Sequence, residues 1–145
     1  MLTRFVNCKH IITNEFNEKT LNLKRTEKTI SDKLRLEKGL IHELNYFKEL
    51  SKKYKKIKNI KDLKSLSKKD KIKETIKALK QGYELIYGGW LESGKWSGEL
   101  DFLEINKDLK SNLGDWSYEV TDTKNSTSVK GDHIYQVGLY CFLLK

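Results

Sequence analysis

The fold is decided by residues 83–105, YELIYGGWLESGKWSGELDFLEI, which predict a β-hairpin. The first half contains a β-rich run, residues 83–87, and residues 92–95 (ESGK) carry a turn signal. Residues 96–105 then alternate apolar and polar side chains, as a half-buried strand does. A polar loop follows over residues 106–115, and residues 116–124 predict a third strand. The second half of the chain is therefore expected to contain a small β-sheet.

Helices are predicted on both sides of these strands. Residues 32–54 repeat apolar side chains at helical spacing, with Ser31 or Asp32 as the N-cap, and residues 70–81 predict a second helix. Residues 54–69 fit either a ragged helix or a tethered loop, and residues 1–30 show only weak periodicity. Residues 133–145 predict a final apolar helix. The apolar stripe of the first long helix consists of Leu40, Ile41, Leu44, Phe47 and Leu50. This order predicts an α+β fold.

Length and composition narrow the class of protein. A chain of 145 residues is long enough for one domain with a buried core, and 37% hydrophobic residues place it above the disordered regime. The longest apolar run, residues 137–144, is too short to cross a bilayer, and the N-terminus has no apolar region typical of a signal peptide. Cys8 and Cys141 form neither a disulfide framework nor a zinc pattern. We therefore expect a cytoplasmic protein with no membrane partner.

The positive charge is concentrated in one segment. The chain carries a formal charge of +9, and residues 52–80 hold thirteen lysines against three acidic residues, a local net charge of +10. Biased lysine usage alone should spread lysines evenly, which favours nucleic-acid contact by this segment. A solvated face or a mobile loop is the alternative. The residues predicted to bind nucleic acid are Lys52, Lys53, Lys55, Lys56 and Lys58.

Acidic residues on two predicted strands suggest a polar site. In the strand around Asp101, period-two geometry puts the carboxylate on the face opposite Leu100 and Phe102. One face of the next strand carries two apolar residues and then two charged ones: Tyr118, Val120, Asp122 and Lys124. This face therefore leaves a core and opens onto a polar site.

Carboxylates from adjacent strands can hold a hard cation such as Mg²⁺, which takes oxygen ligands and keeps several waters. The metal makes a bound water acidic and neutralises charge on a phosphoryl group. A lysine two residues beyond a ligand projects to the same side, where it can orient or deprotonate that water. Taken alone the spacing is common, because many hairpins carry a surface aspartate and lysine.

Two helical pairs add to this pattern. Gly39 and His42 are three apart and share a helix face with Tyr46. A glycine inside a helix costs about 1 kcal/mol relative to alanine, so something is expected to need its absent side chain. Gln136 and Tyr140, four apart, share a face of the last helix. The structural alternatives are an ordinary packing histidine and an ordinary amphipathic helix.

Together these pieces resemble the motif series of RecB-like nucleases of the PD-(D/E)xK superfamily. Residues 78–87, ALKQGYELIY, also resemble that family's helix-to-strand entry, and the resemblance covers about residues 38–145. Each motif is loose, but four in order with compatible gaps are specific. The four are Gly39-x-x-His42-Glu43, Gly98-x-x-Asp101-Phe102-Leu103, Tyr118-Glu119-Val120-x-Asp122-Thr123-Lys124 and Gln136-x-x-x-Tyr140.

The resemblance implies a restriction-endonuclease-like core, with a central mixed β-sheet flanked by helices. It implies a Mg²⁺- or Mn²⁺-dependent nuclease that hydrolyses phosphodiester bonds in nucleic acid, with DNA favoured over RNA. His42, Asp101 and Asp122 would bind the metal, and Lys124 would be the catalytic lysine. Gln136 and Tyr140 would position Lys124 or the nucleic acid strand. Two weaker candidates, Glu43 and Glu119, would join through water.

The chain departs from the family pattern in two ways. Some relatives hold an iron–sulfur cluster, but Cys8 and Cys141 cannot supply four ligands, so no cluster is expected. The sequence also stops five residues after Tyr140, where the family fold normally continues, which suggests a truncated or minimal version. Family members often belong to longer proteins, so further nuclease or helicase domains or subunits are candidate partners.

Two other functions compete with the nuclease. One is a basic nucleic-acid-binding module whose nuclease site is inactive, although a full set of His42, Asp101, Asp122 and Lys124 argues against decay. The other is a lysine-rich protein-interaction domain, which explains the charge but none of the motifs.

Overall fold

The computed structural model describes Val6, residues 8–24 and residues 26–145. The α+β class predicted from the sequence is confirmed. None of the described helices is both long and apolar enough to cross a membrane. In chain order, the elements are α1 (Lys9–Asn17), α2 (Ile30–Lys53), β1 (Ile57–Asn59), α3 (Lys68–Lys80), β2 (Leu85–Ser93), β3 (Trp96–Asn106), β4 (Ser117–Thr121) and α4 (Gly131–Leu144).

The strands form one mixed sheet in the order β1-β2-β3-β4. β1 runs parallel to β2, whereas β2 with β3 and β3 with β4 are antiparallel. The predicted hairpin is confirmed, because Ser93 pairs with Trp96 and leaves a two-residue loop between the strands. The sheet is therefore a meander with one short parallel strand added at its edge.

The sequence did not predict β1, which lies in the segment expected to be a ragged helix or a loop. Ile57 pairs with Leu85, twenty-eight positions further along the chain. Ile60, just beyond the strand, is completely buried. A strand of three residues carries too short a pattern to reveal itself, and only its pairing with β2 gives it a strand conformation.

Two apolar clusters lie against the sheet. The first joins the C-terminal part of α2 to the sheet, with the Phe47 and Tyr87 rings stacked 4.4 Å apart and the Tyr87 and Phe102 rings 5.1 Å apart. The second packs α3 and α4 with the sheet. Its buried residues are Ile60, Ala78, Leu79, Ile86, Leu91, Leu100, Leu103, Tyr118, Tyr140 and Leu143.

The apolar stripe predicted for α2 is only partly buried. Leu50 is buried and Phe47 packs against the sheet, but Leu40 and Ile41 are 52% and 50% exposed, and Leu44 is also exposed. The difference arises because only the last turns of α2 reach the sheet.

The N-terminus of α2 and its glycine also differ from the prediction. Thr29, rather than Ser31 or Asp32, is the N-cap. Its side chain accepts from the Asp32 backbone N–H, and the Asp32 carboxylate accepts from the Thr29 backbone N–H. This reciprocal pair is a capping box. The expectation that something needs the absent side chain of Gly39 is wrong for the described residues, since a Cβ there would meet nothing within 4 Å.

The alternation of side chains breaks at the centre of the β2–β3 pair. Leu100 and Phe102 belong to different clusters, although residues two apart in a regular strand point to the same face. Ile86 and Leu91 share one cluster, although residues five apart in a regular strand point to opposite faces. Asp101 therefore does not lie opposite both Leu100 and Phe102, as period-two geometry predicted. Asp101 lies at the point of β3 where the regular alternation of side chains between the two faces of the sheet is interrupted.

Gly88 allows this change on the neighbouring strand. Its φ of +69° is strained for any residue with a side chain, and a Cβ there would overlap the Lys61 side chain. The glycine therefore has two roles, since it lets β2 turn over and leaves room for the Lys61 side chain.

We expect Gly88→Ala to destabilise the protein more than Gly94→Ala. Both glycines have positive φ, which costs alanine about 1–2 kcal/mol, but a Cβ at Gly94 would meet nothing within 4 Å. Overlap with Lys61 should add roughly 1–3 kcal/mol at Gly88. Urea denaturation of both variants measures the difference. Equal losses would mean that Lys61 moves aside freely.

Candidate active site

Asp101 is tied to the segment that follows β4. Its Oδ2 accepts hydrogen bonds from the backbone N of Thr123 at 2.9 Å and from the Thr123 hydroxyl at 3.0 Å. Within the described parts of the chain, its Oδ1 has no hydrogen-bond partner. One carboxylate oxygen therefore fixes the side chain, and the other is left for a ligand.

Asp122 and Lys124 lie just beyond β4 and not within it, because the strand ends at Thr121. The side chain of Asp122 is only 2% exposed, and the Lys124 ammonium pairs with its Oδ2. The Gln136 side-chain amide donates to the other oxygen at 3.3 Å. The aspartate and the lysine therefore meet although the predicted strand does not reach them.

The electrostatics of Asp122 are unfavourable for its charge. Burial raises the pKa of this carboxyl, and the nearby charge of Asp101 raises it further, while Lys124 opposes both effects. Two carboxylates with one lysine in a poorly solvated place leave unbalanced negative charge. A bound cation would relieve it.

Helix α4 supplies two more groups. The Gln136 amide donates to the Tyr140 hydroxyl at 2.7 Å. Burial, with smaller contributions from nearby carboxylates such as Asp122 and Asp101, raises the pKa of Tyr140 to about 12, so its hydroxyl stays protonated at neutral pH. The ring packs on β3, where a Cβ at Gly98 would lie 2.6 Å from it. This close approach explains why the Gly98-x-x-Asp101 motif begins with a glycine.

Helix α2 presents Glu43, and not His42, to the sheet. His42 is exposed, and its imidazole makes no hydrogen bond or ion pair with any residue that the structure describes. The Glu43 side chain is 13% exposed and pairs with Lys61. Burial raises the pKa of Tyr87 well above its usual range, and the charges of Glu43 and Asp101 raise it further, which places both near this ring. Metal binding by His42 stays a prediction.

The structure does not bring Glu119 to this site. It is exposed on β4, and its carboxylate accepts from the Asn106 amide at 2.6 Å. It also lies opposite Glu104 in the β3–β4 register. The side chains that do come together are Asp101, Asp122, Lys124, Gln136 and Tyr140.

Most of the five lysines predicted to bind nucleic acid already have partners. Lys52, Lys53 and Lys58 lie 2.7, 3.9 and 2.6 Å from carboxylates, those of Glu49, Glu104 and Glu74 respectively. Lys56 donates to the Gln81 carbonyl at 2.5 Å, and among the described residues the Lys55 ammonium has no partner. Contact with phosphates would therefore compete with these partners.

Two cavities flank the carboxylates, and they contain residues that the sequence did not reveal. One, of about 630 Å³, is lined by Asp101, Gln136 and Tyr140 together with Lys61, Lys68 and Trp90. The other, of about 620 Å³, is lined by Asp122, Lys124, His133 and residues 126–129. Thr123 was quoted within a motif but was given no role there, and Lys61 and Lys68 were not distinguished from the many other lysines of residues 52–80.

The carboxylates fit a hard divalent cation. Mg²⁺ is bound in many enzymes by one or two carboxylates together with waters and substrate phosphates. Asp101 offers an open oxygen, and the buried charge of Asp122 would be stabilised by a cation. Elsewhere in the described chain, as here, no three His, Cys, Asp or Glu side chains are grouped for a metal ion. Within this site, Asp101 and Asp122 are the carboxylates that would hold one.

Comparison of the chain with protein-family models, with curated protein sequences and with solved structures found no match in any of the three. The resemblance to RecB-like nucleases therefore stays a prediction that rests on the motifs. Function has to be inferred from the geometry around Asp101, Asp122 and Lys124.

We expect Asp122→Asn to stabilise the protein near neutral pH. In the unfolded chain Asp122 loses its proton near the ordinary value of 3.8, whereas in the fold it keeps the proton to a higher pH. The wild type therefore loses stability as the pH rises from 3.8 through the folded pKa, and the asparagine variant does not. The advantage of the variant should grow across this window and then stay constant.

Urea denaturation over a pH series measures this difference. Asp115→Asn is the matched control, because Asp115 is exposed in a loop and pairs only with the exposed Lys110. Its effect should depend little on pH. A wild type more stable than Asp122→Asn at neutral pH would show that the Lys124 pair outweighs the burial of the charge.

Proposed function

We propose that this protein is a metal-dependent nuclease that hydrolyses phosphodiester bonds in nucleic acid, with DNA favoured over RNA. The observation that carries the proposal is the pair of the nearly buried Asp122 carboxylate with Lys124 beside Asp101, whose carboxylate is held by Thr123. A carboxyl whose pKa is perturbed by burial and by a neighbouring charge, at the wall of a cavity, is typical of a functional site. We also infer a restriction-endonuclease-like core, which the mixed sheet with helices is compatible with.

Asp101 and Asp122 would hold Mg²⁺ or Mn²⁺. When bound, such an ion supplies Lewis-acid stabilisation of the charge that develops on the phosphoryl oxygens. Thr123 holds Asp101 in a fixed orientation through two hydrogen bonds, and Gln136 does the same for Asp122. This preorganisation lowers the cost of bringing ligands and substrate together.

Lys124 and Tyr140 would act on the substrate. The Lys124 ammonium, which is partly exposed, can orient the attacking water or transfer its proton. The Tyr140 hydroxyl, protonated at neutral pH, can donate a hydrogen bond to a phosphate oxygen. Lysines of residues 52–80 would contact backbone phosphates, which carry no sequence information.

A basic nucleic-acid-binding module with an inactive site is the second candidate. It is favoured by the absence, in the described residues, of a three-ligand group and by the exposed position of His42, which makes no hydrogen bond or ion pair with a described residue. Such a module would bind nucleic acid but cut none of it. The same assay, run with and without metal, separates the two candidates.

We expect cleavage of labelled DNA to need Mg²⁺ or Mn²⁺ and to be lost in Asp101→Asn. The substitution removes a charged ligand but keeps an oxygen that can accept from Thr123, so the fold should survive. Asp115→Asn is again the control, since this exposed residue lies outside the site. Gel assays with and without EDTA give the measurement. Undiminished cutting in EDTA, or by Asp101→Asn, would refute the metal-dependent mechanism, and binding without cutting would favour the inactive module.

We expect Lys124→Ala to lower turnover by about a hundredfold or more at every Mn²⁺ concentration, as loss of a proton-transfer group typically does. Glu43→Gln should instead raise the Mn²⁺ concentration needed, because this carboxylate lies inward beside Lys61. The resemblance predicts that effect for His42→Ala. Mn²⁺ titrations of the three variants test these roles.

A larger shift for His42→Ala than for Glu43→Gln would make the histidine the ligand from α2. Rescue of Lys124→Ala by high Mn²⁺ would contradict its catalytic role. Thermal melts of Glu43→Gln control for the loss of its pair with Lys61, which is independent of metal.

A further inference from the structure

The cleft beside Asp101 has an aromatic wall and a basic rim. The N-terminal end of α3, the β2–β3 hairpin and α4 surround it, and its volume is about 630 Å³. Trp90 and Ser97 come from the hairpin, whereas Lys61 and Lys68 come from the lysine-rich residues 52–80. This volume is in the range of small-molecule pockets. The cleft is therefore of a size to take a nucleotide.

Trp90 is a rigid element of this cleft. Its backbone N–H donates to the hydroxyl of Thr75 at 2.9 Å, and Thr75 itself is completely buried. Its ring is only partly buried, and the indole Nε1 is buried without a hydrogen-bond partner in the described chain. Buried tryptophans usually find such a partner. The backbone of Trp90 is therefore held in place by a hydrogen bond. The indole itself makes no hydrogen bond with the described chain that would account for a tryptophan at this position.

Lys68 is the lysine of the cleft whose charge no carboxylate neutralises. Its ammonium lies 5.5 Å from the centroid of the Trp90 ring and donates to the Ser97 hydroxyl at 2.6 Å. It makes no ion pair with any described residue, whereas Lys61 is paired with Glu43. Neutral groups therefore hold the ammonium over the Trp90 ring at the rim of the cleft, which Glu99 also lines, and no ion pair has to break before the ammonium contacts an anion.

We propose that the cleft is a nucleotide subsite, in which Trp90 stacks on an unpaired nucleobase and Lys68 binds the adjoining phosphate. Bases in a duplex are stacked on one another, so only an unpaired base can offer its face to an aromatic side chain. The phosphodiester next to that base would then lie towards Asp101, on the same cleft. This subsite rests on the proposed nuclease function and makes single-stranded nucleic acid, or a frayed end, its preferred substrate.

Binding measured without cleavage tests the subsite. The probe is a fluorescently labelled single strand of about ten nucleotides, a typical site size, and its duplex is compared with it by anisotropy in EDTA. A gel confirms that the probe stays intact. We expect the wild type to prefer the single strand and Trp90→Ala to bind it about tenfold more weakly, since base stacking on an aromatic ring contributes that much or more.

Trp96→Ala is the matched control for the tryptophan. Trp96 belongs to the same hairpin and is 48% exposed, but it does not line the cleft, so its loss should change affinity by less than about twofold. Trp90→Phe keeps a ring and should retain most of the binding, whereas Trp90→Leu keeps only an apolar side chain and should lose it. If Trp90→Ala fails to fold, the comparison of Trp90→Phe with Trp90→Leu still tests whether the ring stacks on a base.

Lys68→Gln and its neighbour Lys69→Gln test the phosphate contact. Lys69 is exposed and does not line the cleft. A salt series should show a slope smaller by about 0.7 for Lys68→Gln, the value for one phosphate contact on a single strand. Lys69→Gln should leave the slope unchanged. Equal slopes in the two variants would overturn the role of Lys68.

Equal affinities of Trp90→Leu, Trp90→Phe and Trp96→Ala would overturn the stacking role of Trp90, as would duplex binding as tight as single-strand binding. Failure of the nuclease proposal is distinguishable from this. A wild type that binds single strands through Trp90 but cuts nothing in Mg²⁺ or Mn²⁺ would leave the subsite standing and remove hydrolysis. Cutting that is indifferent to Trp90 would remove the subsite alone.

Discussion

The candidate site depends on the two hydrogen bonds that Asp101 accepts from Thr123. The backbone ladder between β3 and β4 ends where Phe102 pairs with Thr121, so no further ladder bond is available to hold the residues that follow. Beyond this point, the Asp101 carboxylate holds Thr123 by accepting hydrogen bonds from its backbone N–H and its hydroxyl. Asp122 and Lys124 flank Thr123 on either side, and their positions follow from that anchor.

The site lies where the sheet changes the face that it shows to its two cores. Gly88 on β2 and Asp101 on β3 mark the change, and the absent side chain of Gly88 leaves room for the Lys61 side chain, which pairs with Glu43. Polar groups gather here because neither core covers this line. The same position leaves Asp122 nearly buried, and burial disfavours its charged form.

The positive charge that residues 52–80 leave unpaired is smaller than their composition suggests. Lys58 is paired with Glu74, which is already counted in the net charge of residues 52–80. Lys61 is paired with Glu43 and Lys53 with Glu104, so acids elsewhere in the fold balance part of that charge. Their effect is to direct the available positive charge, and Lys68 retains it at the cleft that contains Asp101.

Sequence alone determined the α+β class and the β2–β3 hairpin, because these depend on local periodicity and on turn signals. Strand periodicity also suggested a polar site at Asp101, Asp122 and Lys124, whereas it was the family resemblance that implied a place for Gln136 and Tyr140 beside them. Tertiary structure decided the rest. The strand β1 exists only through its pairing with β2, and the break in alternation at Asp101 accompanies the positive φ of Gly88 on the neighbouring strand. The inward position of Glu43 instead of His42, and the meeting of Lys68 with Trp90, likewise depend on contacts between distant segments. Patterns along one element cannot show which side of it a neighbour will cover.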